Sequence, residues 1–155
     1  METTADGRHR IVVRRRIPAP REVVYAAWTD PEGLREWMCP GDVLSAEATL
    51  DVRVGGSFRI TMRSKDRVHE HVGTYQIVDP PAKLRFTWSG LDNPNEITLV
   101  TVEFLELGKT CELVITHERF TKAEIAQRYE MGWGTIATKF ASHLASKKEP
   151  AQKPS

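Results

Sequence analysis

The side chains best suited to chemistry in this sequence are three histidines, two cysteines and a run of arginines, and their spacing decides what each can do. His69 and His71 alternate with their neighbours in "VHEHVGTYQIV", so they share one face of an extended segment, with Tyr75 further along it. A metal centre needs three or four convergent ligands, and this spacing supplies two, so no metal site is read here. Both histidines sit near the Asp66-Arg67 turn, which places them in solvent. His117 in "TCELVITHERF" shares a face with Leu113 and Ile115. It reads as a polar group in an apolar lining, hydrogen-bonded to a neighbour and able to orient a ligand. Cys39 and Cys111 match no metal-ligand spacing and read as reduced thiols rather than a bridge. In "IVVRRRI", alternation sends Arg14 and Arg16 to one face and Arg15 to the other, the pattern of a solvated strand edge. "GDVLS" and "RVGGS" bring glycine near serine without the strand-turn-helix context of a hydrolase elbow. With no nucleophile motif, phosphate loop or carboxylate pair, the sequence names no catalytic residue and no cofactor.

The aromatic residues carry a second kind of chemistry, the binding of apolar surface. "WTDPEGLREW" places Trp28 and Trp37, two of the chain's four tryptophans, around a turn signal. They either pack a helical corner or line the mouth of a cavity. Trp37 is the better mouth candidate, because it runs on into Met38 and Cys39 before Pro40-Gly41, and a polarizable pair suits an adaptable entrance. Phe86 and Trp88 share a face with Leu84, and Trp133 is flanked by Gly132 and Gly134 within a helical stretch. Each such glycine costs about 1 kcal/mol relative to alanine, which close approach to a sheet or room for a ligand would offset. Face alternation and aromatic content together select Trp37, Met62, Tyr75, Phe86, Trp88, Val102, Leu113, His117 and Trp133 as the lining of a ligand cavity. The same residue types build filled cores, so hollow and packed readings both stand at this point.

The elements that must position these residues follow from periodicity. "IVVRRRI" is a strand ended by Pro18 and Pro20. "PREVVYAAWTD" and "DPEGLREW" are two short helices, the first with Val23, Val24, Ala27 and Trp28 on one face, the second with Asp30 as N-cap and Pro31 at its first position. Strands follow in series: "LSAEATLDVRV", "GSFRITMR", "HVGTYQIV", "KLRFTW", then "ITLVTVEFLEL" and "TCELVITHERF" around the Gly108-Lys109 turn. In the first of these Leu44, Ala46, Ala48, Leu50, Val52 and Val54 make one apolar face. Thr121 and Glu124 form a capping-box pattern that opens a helix to Leu144, with Ile125, Tyr129, Trp133, Ile136, Phe140 and Leu144 as its apolar stripe. Strands grouped together and closed by a long helix make an α+β domain in which the helix covers one face of a curved antiparallel sheet.

The 155 residues, 40% hydrophobic and 28% charged with net charge +1, suit one globular domain and no polyanionic partner, so nucleic acid is not expected. No run reaches the roughly 20 apolar residues of a membrane span and "METTADGRHR" lacks a signal peptide's apolar stretch, so a cytoplasmic protein is expected. Residues 1–9 and 147–155 read as disordered polar tails around a domain at 10–146.

Five pieces in order, "WTDPEGLREW", "DVRVGGSFRI", "GTYQIVDPPAKLRFTW", "VTVEFLELGKTCELVITHERF" and "GWGTIATKF", resemble the bacterial proteins related to the C-terminal domain of the activator of the heat-shock-protein-90 ATPase. These belong to the START-like, helix-grip (SRPBCC) superfamily, and the resemblance spans about Ile11 to Leu144. It implies a sheet wrapped around the C-terminal helix, with a cavity between them that in many relatives holds an apolar ligand. Three functions follow as expectations. The first is a monomer or weak dimer that binds a small hydrophobic or amphipathic molecule. The second is a chaperone-associated regulator, although this chain matches only one half of the eukaryotic activators. The third is a cyclase-like enzyme using His117 as acid or base.

Overall fold

The computed structural model describes residues 2–5, 7–39, 43–90 and 93–151, with the backbone alone described at 93–95 and 146–151. Eight strands, β1 (Glu2–Thr3), β2 (His9–Ile17), β3 (Ser45–Leu50), β4 (Ser57–Arg63), β5 (Val68–Asp79), β6 (Lys83–Gly90), β7 (Asn93–Leu107) and β8 (Thr110–Phe120), form one antiparallel sheet. Its order is β1-β2-β8-β7-β6-β5-β4-β3. From β3 to β8 the chain meanders through successive hairpins, and β2 closes on β8 with Ile11 opposite His117 and Val13 opposite Ile115. The helices α1 (Arg21–Trp28) and α2 (Pro31–Trp37) carry the chain from β2 to β3 at the far edge, and α3 (Ala123–Ala151) follows β8. This is the α+β helix-grip architecture.

Alternation sorts the strand residues as their period requires. On β4, Phe58, Ile60 and Met62 are buried while Ser57, Arg59 and Arg63 are exposed; Leu84, Phe86 and Trp88 of β6 point inward likewise. The opposing stripe of α3 buries Ala126, Trp133, Ile136, Ala137, Phe140 and Leu144, with Ile125 and Tyr129 partly buried against the same core. Gly73 on β5 is required by close packing: a Cβ there would lie 1.9 Å from the Thr87 carbonyl oxygen and 2.5 Å from the Phe58 ring. At α2 the expected cap forms, the Asp30 carboxylate accepting from the Glu32 amide at 3.1 Å with Pro31 behind it.

Several local expectations are corrected. Glu2–Thr3 is not a tail but pairs with His9 and Arg10, held by the Arg10–Glu2 ion pair at 2.8 Å and turned by Gly7 at φ 81°. At the other end α3 continues past 146 to Ala151, since a packed helix extends by one backbone hydrogen bond per added residue. Thr121 does not act through the capping box; α3 begins at Ala123, and the Thr121 hydroxyl donates to the Glu96 carboxylate of β7 at 3.1 Å. The apolar face expected from Leu44 to Val54 is shorter than its pattern, because β3 spans only Ser45–Leu50 and leaves Leu44 before it and Val54 after it exposed. Val23 faces solvent, and Tyr25 takes its place on the buried side of α1. The Pro40-Gly41 turn lies outside the described residues.

Candidate functional site

The sheet and the three helices converge on one recess. Phe58 and Ile60 of β4, Tyr75 of β5, and Phe86 and Trp88 of β6 form its floor; Trp133 of α3 and Trp28 of α1 form its walls; the buried Leu34 and Met38 of the α2 segment close it, and the partly exposed Leu50 of β3 lies at its rim. The free space is about 20 Å³, room for roughly one water molecule. The rings around it interlock: Trp133 lies 5.5 Å from Trp88 and 6.3 Å from Trp28, and Phe58 lies 5.2 Å from Phe86 and 5.6 Å from Tyr75, centroid to centroid. Such aromatic pairs each contribute about 0.5–1.5 kcal/mol beyond area burial, so the wall has a defined shape.

A buried hydrogen-bond relay holds the two central tryptophans. The Trp133 indole N–H donates to His117 Nδ1 at 2.9 Å, and His117 Nε2 lies 2.7 Å from the Thr98 hydroxyl, which donates to the Trp88 carbonyl at 3.0 Å. An indole nitrogen can only donate, so Nδ1 accepts and the imidazole hydrogen sits on Nε2, pointing to Thr98. The direction of every bond in the relay follows. The Trp88 indole N–H in turn donates to the Tyr129 hydroxyl at 3.3 Å. His117 is fully buried, packed by Phe120 at 4.4 Å and Tyr129 at 4.8 Å. Burial, with His71 as a second cause, pushes its pKa from 6.5 to about 3, so the ring is neutral near pH 7. Both nitrogens are engaged and no proton is held ready for transfer. This arrangement contradicts the acid–base role that a cyclase-like reading gave to His117.

A second phenol, Tyr25, lies beside the recess without lining it. Tyr25 and Trp28 are one helical turn apart on α1, and both rings pack on Phe104, at 5.3 and 6.3 Å. The Tyr25 hydroxyl oxygen is buried without a hydrogen-bond partner among the described residues, as is the indole nitrogen of Trp37. Burial raises the pKa of Tyr75, with Tyr25 and Asp51 adding to the shift; Tyr25 is raised by burial and then by Asp79. Both phenols therefore keep their protons. At the rim, the Lys139 ammonium of α3 donates to the Cys39 carbonyl just beyond α2, tying the segment that carries Leu34 and Met38 to the closing helix.

Of the residues selected from sequence, Tyr75, Phe86, Trp88 and Trp133 meet at the recess. Trp37 does not line it; it is fully buried between Trp28 at 4.8 Å and Phe140 at 4.5 Å, and Trp28 faces the space instead. Met62, Val102 and Leu113 belong to the packed core on other parts of the sheet, and His117 lies behind Trp88 and Trp133 rather than in the lining. Sequence reasoning left Leu34, Leu50, Phe58 and Ile60 out of the site. Phe58 and Ile60 carry the same inward alternation as Met62, which was the available signal. His71 is half-buried rather than fully solvated: its ring stacks on Trp88 at 4.7 Å and 22°. Cys39 and Cys111 are buried and unbridged. Among the described residues no three metal-ligating side chains converge.

The model of the activator of Hsp90 ATPase homolog 1-like proteins matches residues 18–145. The chain belongs to this family. The solved structures similar to this family member include protein CV1439 from Chromobacterium violaceum, with TM-score 0.75, 25% identity, and coverage of 86% of this chain and 95% of that one. Protein NE0264 from Nitrosomonas europaea superposes with TM-score 0.78 at 20% identity, covering 90% and 96%. CalU16 from Micromonospora echinospora gives 0.69 at 21% identity, covering 96% and 85%. The comparison with curated proteins gives no match. No described helix of this family member is long and apolar enough to cross a membrane.

Proposed function

We propose that the protein binds a small, largely aromatic or apolar molecule in the recess between sheet, α1, α2 and α3. The observation that carries this reading is the lining itself. Six aromatic rings, from Trp28, Phe58, Tyr75, Phe86, Trp88 and Trp133, surround a space that no protein atom fills. As it stands, the recess is far smaller than the ligand. A cavity of about 150 Å³ is needed for benzene, and drug-sized ligands occupy roughly 300–1,000 Å³. Binding therefore requires Leu34 and Met38 to withdraw with α2, a movement opposed by the Lys139–Cys39 hydrogen bond. That opening lowers the apparent affinity by the fraction of molecules already open. Apolar burial at about 25 cal/mol per Å² supplies the driving force.

Titration with naphthalene, read by tryptophan fluorescence, tests this reading. Saturable quenching is expected in the wild type. Leu50→Phe, which adds bulk at the partly exposed rim, should abolish it while leaving the thermal midpoint within a few degrees. Absence of saturable binding, or binding indifferent to Leu50→Phe, contradicts it. The family match supports a second reading, regulation of a chaperone ATPase through the protein surface. A stoichiometric complex with purified heat-shock protein 90 that alters its ATP hydrolysis would favour that reading.

A further inference from the structure

We propose that the Tyr25 and Tyr75 hydroxyls form a hydrogen-bonding subsite at the Trp28 end of the recess, which takes a neutral polar group, a ketone or hydroxyl, on an otherwise aromatic ligand. The proposal rests on the recess being the binding site and names what the ligand carries at one end.

Three observations converge on it. Tyr75 lines the recess; Tyr25 stands just outside the lining, one turn before the lining residue Trp28 and packed on Phe104, close enough to Tyr75 to act on it electrostatically. The Tyr25 ring is nine-tenths buried, and its hydroxyl oxygen has no partner among the described residues. A buried hydroxyl left unpaired is costly, and in native structures such a group is satisfied by an ordered water or a ligand. The surroundings select the ligand's charge. Asp79 acts on Tyr25, and Asp51, itself paired with Arg53 at 3.0 Å, acts on Tyr75, each disfavouring negative charge on the phenol. Two neutral O–H donors in a buried, aromatic setting suit a carbonyl or hydroxyl oxygen and disfavour a carboxylate, whose charge burial penalises first. The remaining lining supplies only apolar surface and rings, so the rest of the molecule is apolar.

The test compares naphthalene, 2-acetylnaphthalene and 2-naphthoate on the wild type, Tyr25→Phe and Tyr75→Phe, with affinities read by tryptophan fluorescence and folding checked by amide spectra. In the wild type, the ketone should bind more tightly than the carboxylate. Each phenylalanine variant should lose about three- to ten-fold in affinity for the ketone relative to its own affinity for naphthalene, the worth of one hydrogen bond. Tyr25→Phe should also leave the thermal midpoint unchanged or higher, because it removes an unpaired polar atom. If naphthalene binds but both variants keep the ketone preference, the subsite is refuted and the recess stands. If naphthalene does not bind the wild type, the recess reading fails and the subsite with it. A fall in the Tyr25→Phe midpoint with the ketone preference intact would show a hydroxyl satisfied by structural water, which also overturns the proposal.

Discussion

Acid should unfold this protein through His117. The folded state holds the imidazole near pKa 3 against the ordinary 6.5, so the unfolded chain takes up a proton that the folded chain refuses. The contribution of this group to stability is complete above pH 6.5 and is lost as the pH falls from there towards 3. At about 1.4 kcal/mol per pH unit the window amounts to about 5 kcal/mol, of which roughly 2 kcal/mol falls between pH 7 and pH 5. The geometry accounts for the size of the effect. Protonated Nδ1 would point its hydrogen at the Trp133 indole N–H, two donors facing each other 2.9 Å apart, inside a shell of Phe120, Tyr129 and Trp88. Urea denaturation at intervals from pH 7.5 to 5, run on the wild type and on His117→Gln, isolates this group from the other histidines. Glutamine retains one donor and one acceptor but takes up no proton. The variant should begin less stable and lose about 2 kcal/mol less than the wild type across that range. Carbon and nitrogen resonances of the His117 ring should report the neutral form, with the hydrogen on Nε2, down to the onset of unfolding. Parallel stability curves for the two proteins, or a His117 midpoint near 6, would refute the relay as drawn.

Other perturbations probe the framework. Gly134→Ala should raise stability by up to about 1 kcal/mol in denaturant melts, because a Cβ there meets nothing and alanine favours the helix. Gly73→Ala should lower it by about 3 kcal/mol or more, since its Cβ would collide with the Thr87 carbonyl and the Phe58 ring. Thiol titration at pH 8 should find Cys39 and Cys111 slow to react in the native protein and both reactive in urea, because burial raises each thiol and takes Cys111 to about 11. Lys139→Met should release the α2 segment, seen as faster amide hydrogen exchange at Leu34 and Met38 and a faster on-rate for naphthalene.

The strand face of Phe58, Ile60 and Met62 and the stripe of Trp133, Ile136, Phe140 and Leu144 were legible because each follows the period of its own backbone. What depends on chain segments meeting was not. β1 owes its place to Glu2 reaching Arg10, which no local propensity encodes over two residues. Trp28 and Trp37 both occupy apolar helical positions, and the crossing of α1, α2 and α3 alone decides that the first faces the recess and the second is enclosed. For His117 the pattern placed the ring indoors but not its bonds, since its partners Thr98 and Trp133 lie 19 and 16 residues away. The volume of the recess is a residue of packing between side chains from seven elements. Alternation identified Tyr75, Phe86 and Trp88 as inward-facing without showing that space remained beside them.

Intermolecular nuclear Overhauser effects between naphthalene and the isotope-labelled protein test the binding site most directly. The recess account predicts contacts from the probe to the ring protons of Trp28, Trp88 and Trp133 and to the Met38 methyl, with none to the exposed Met131 on the outer side of α3. Contacts confined to Met131, Leu44 or other exposed apolar side chains, or no contacts at saturating probe, would contradict it.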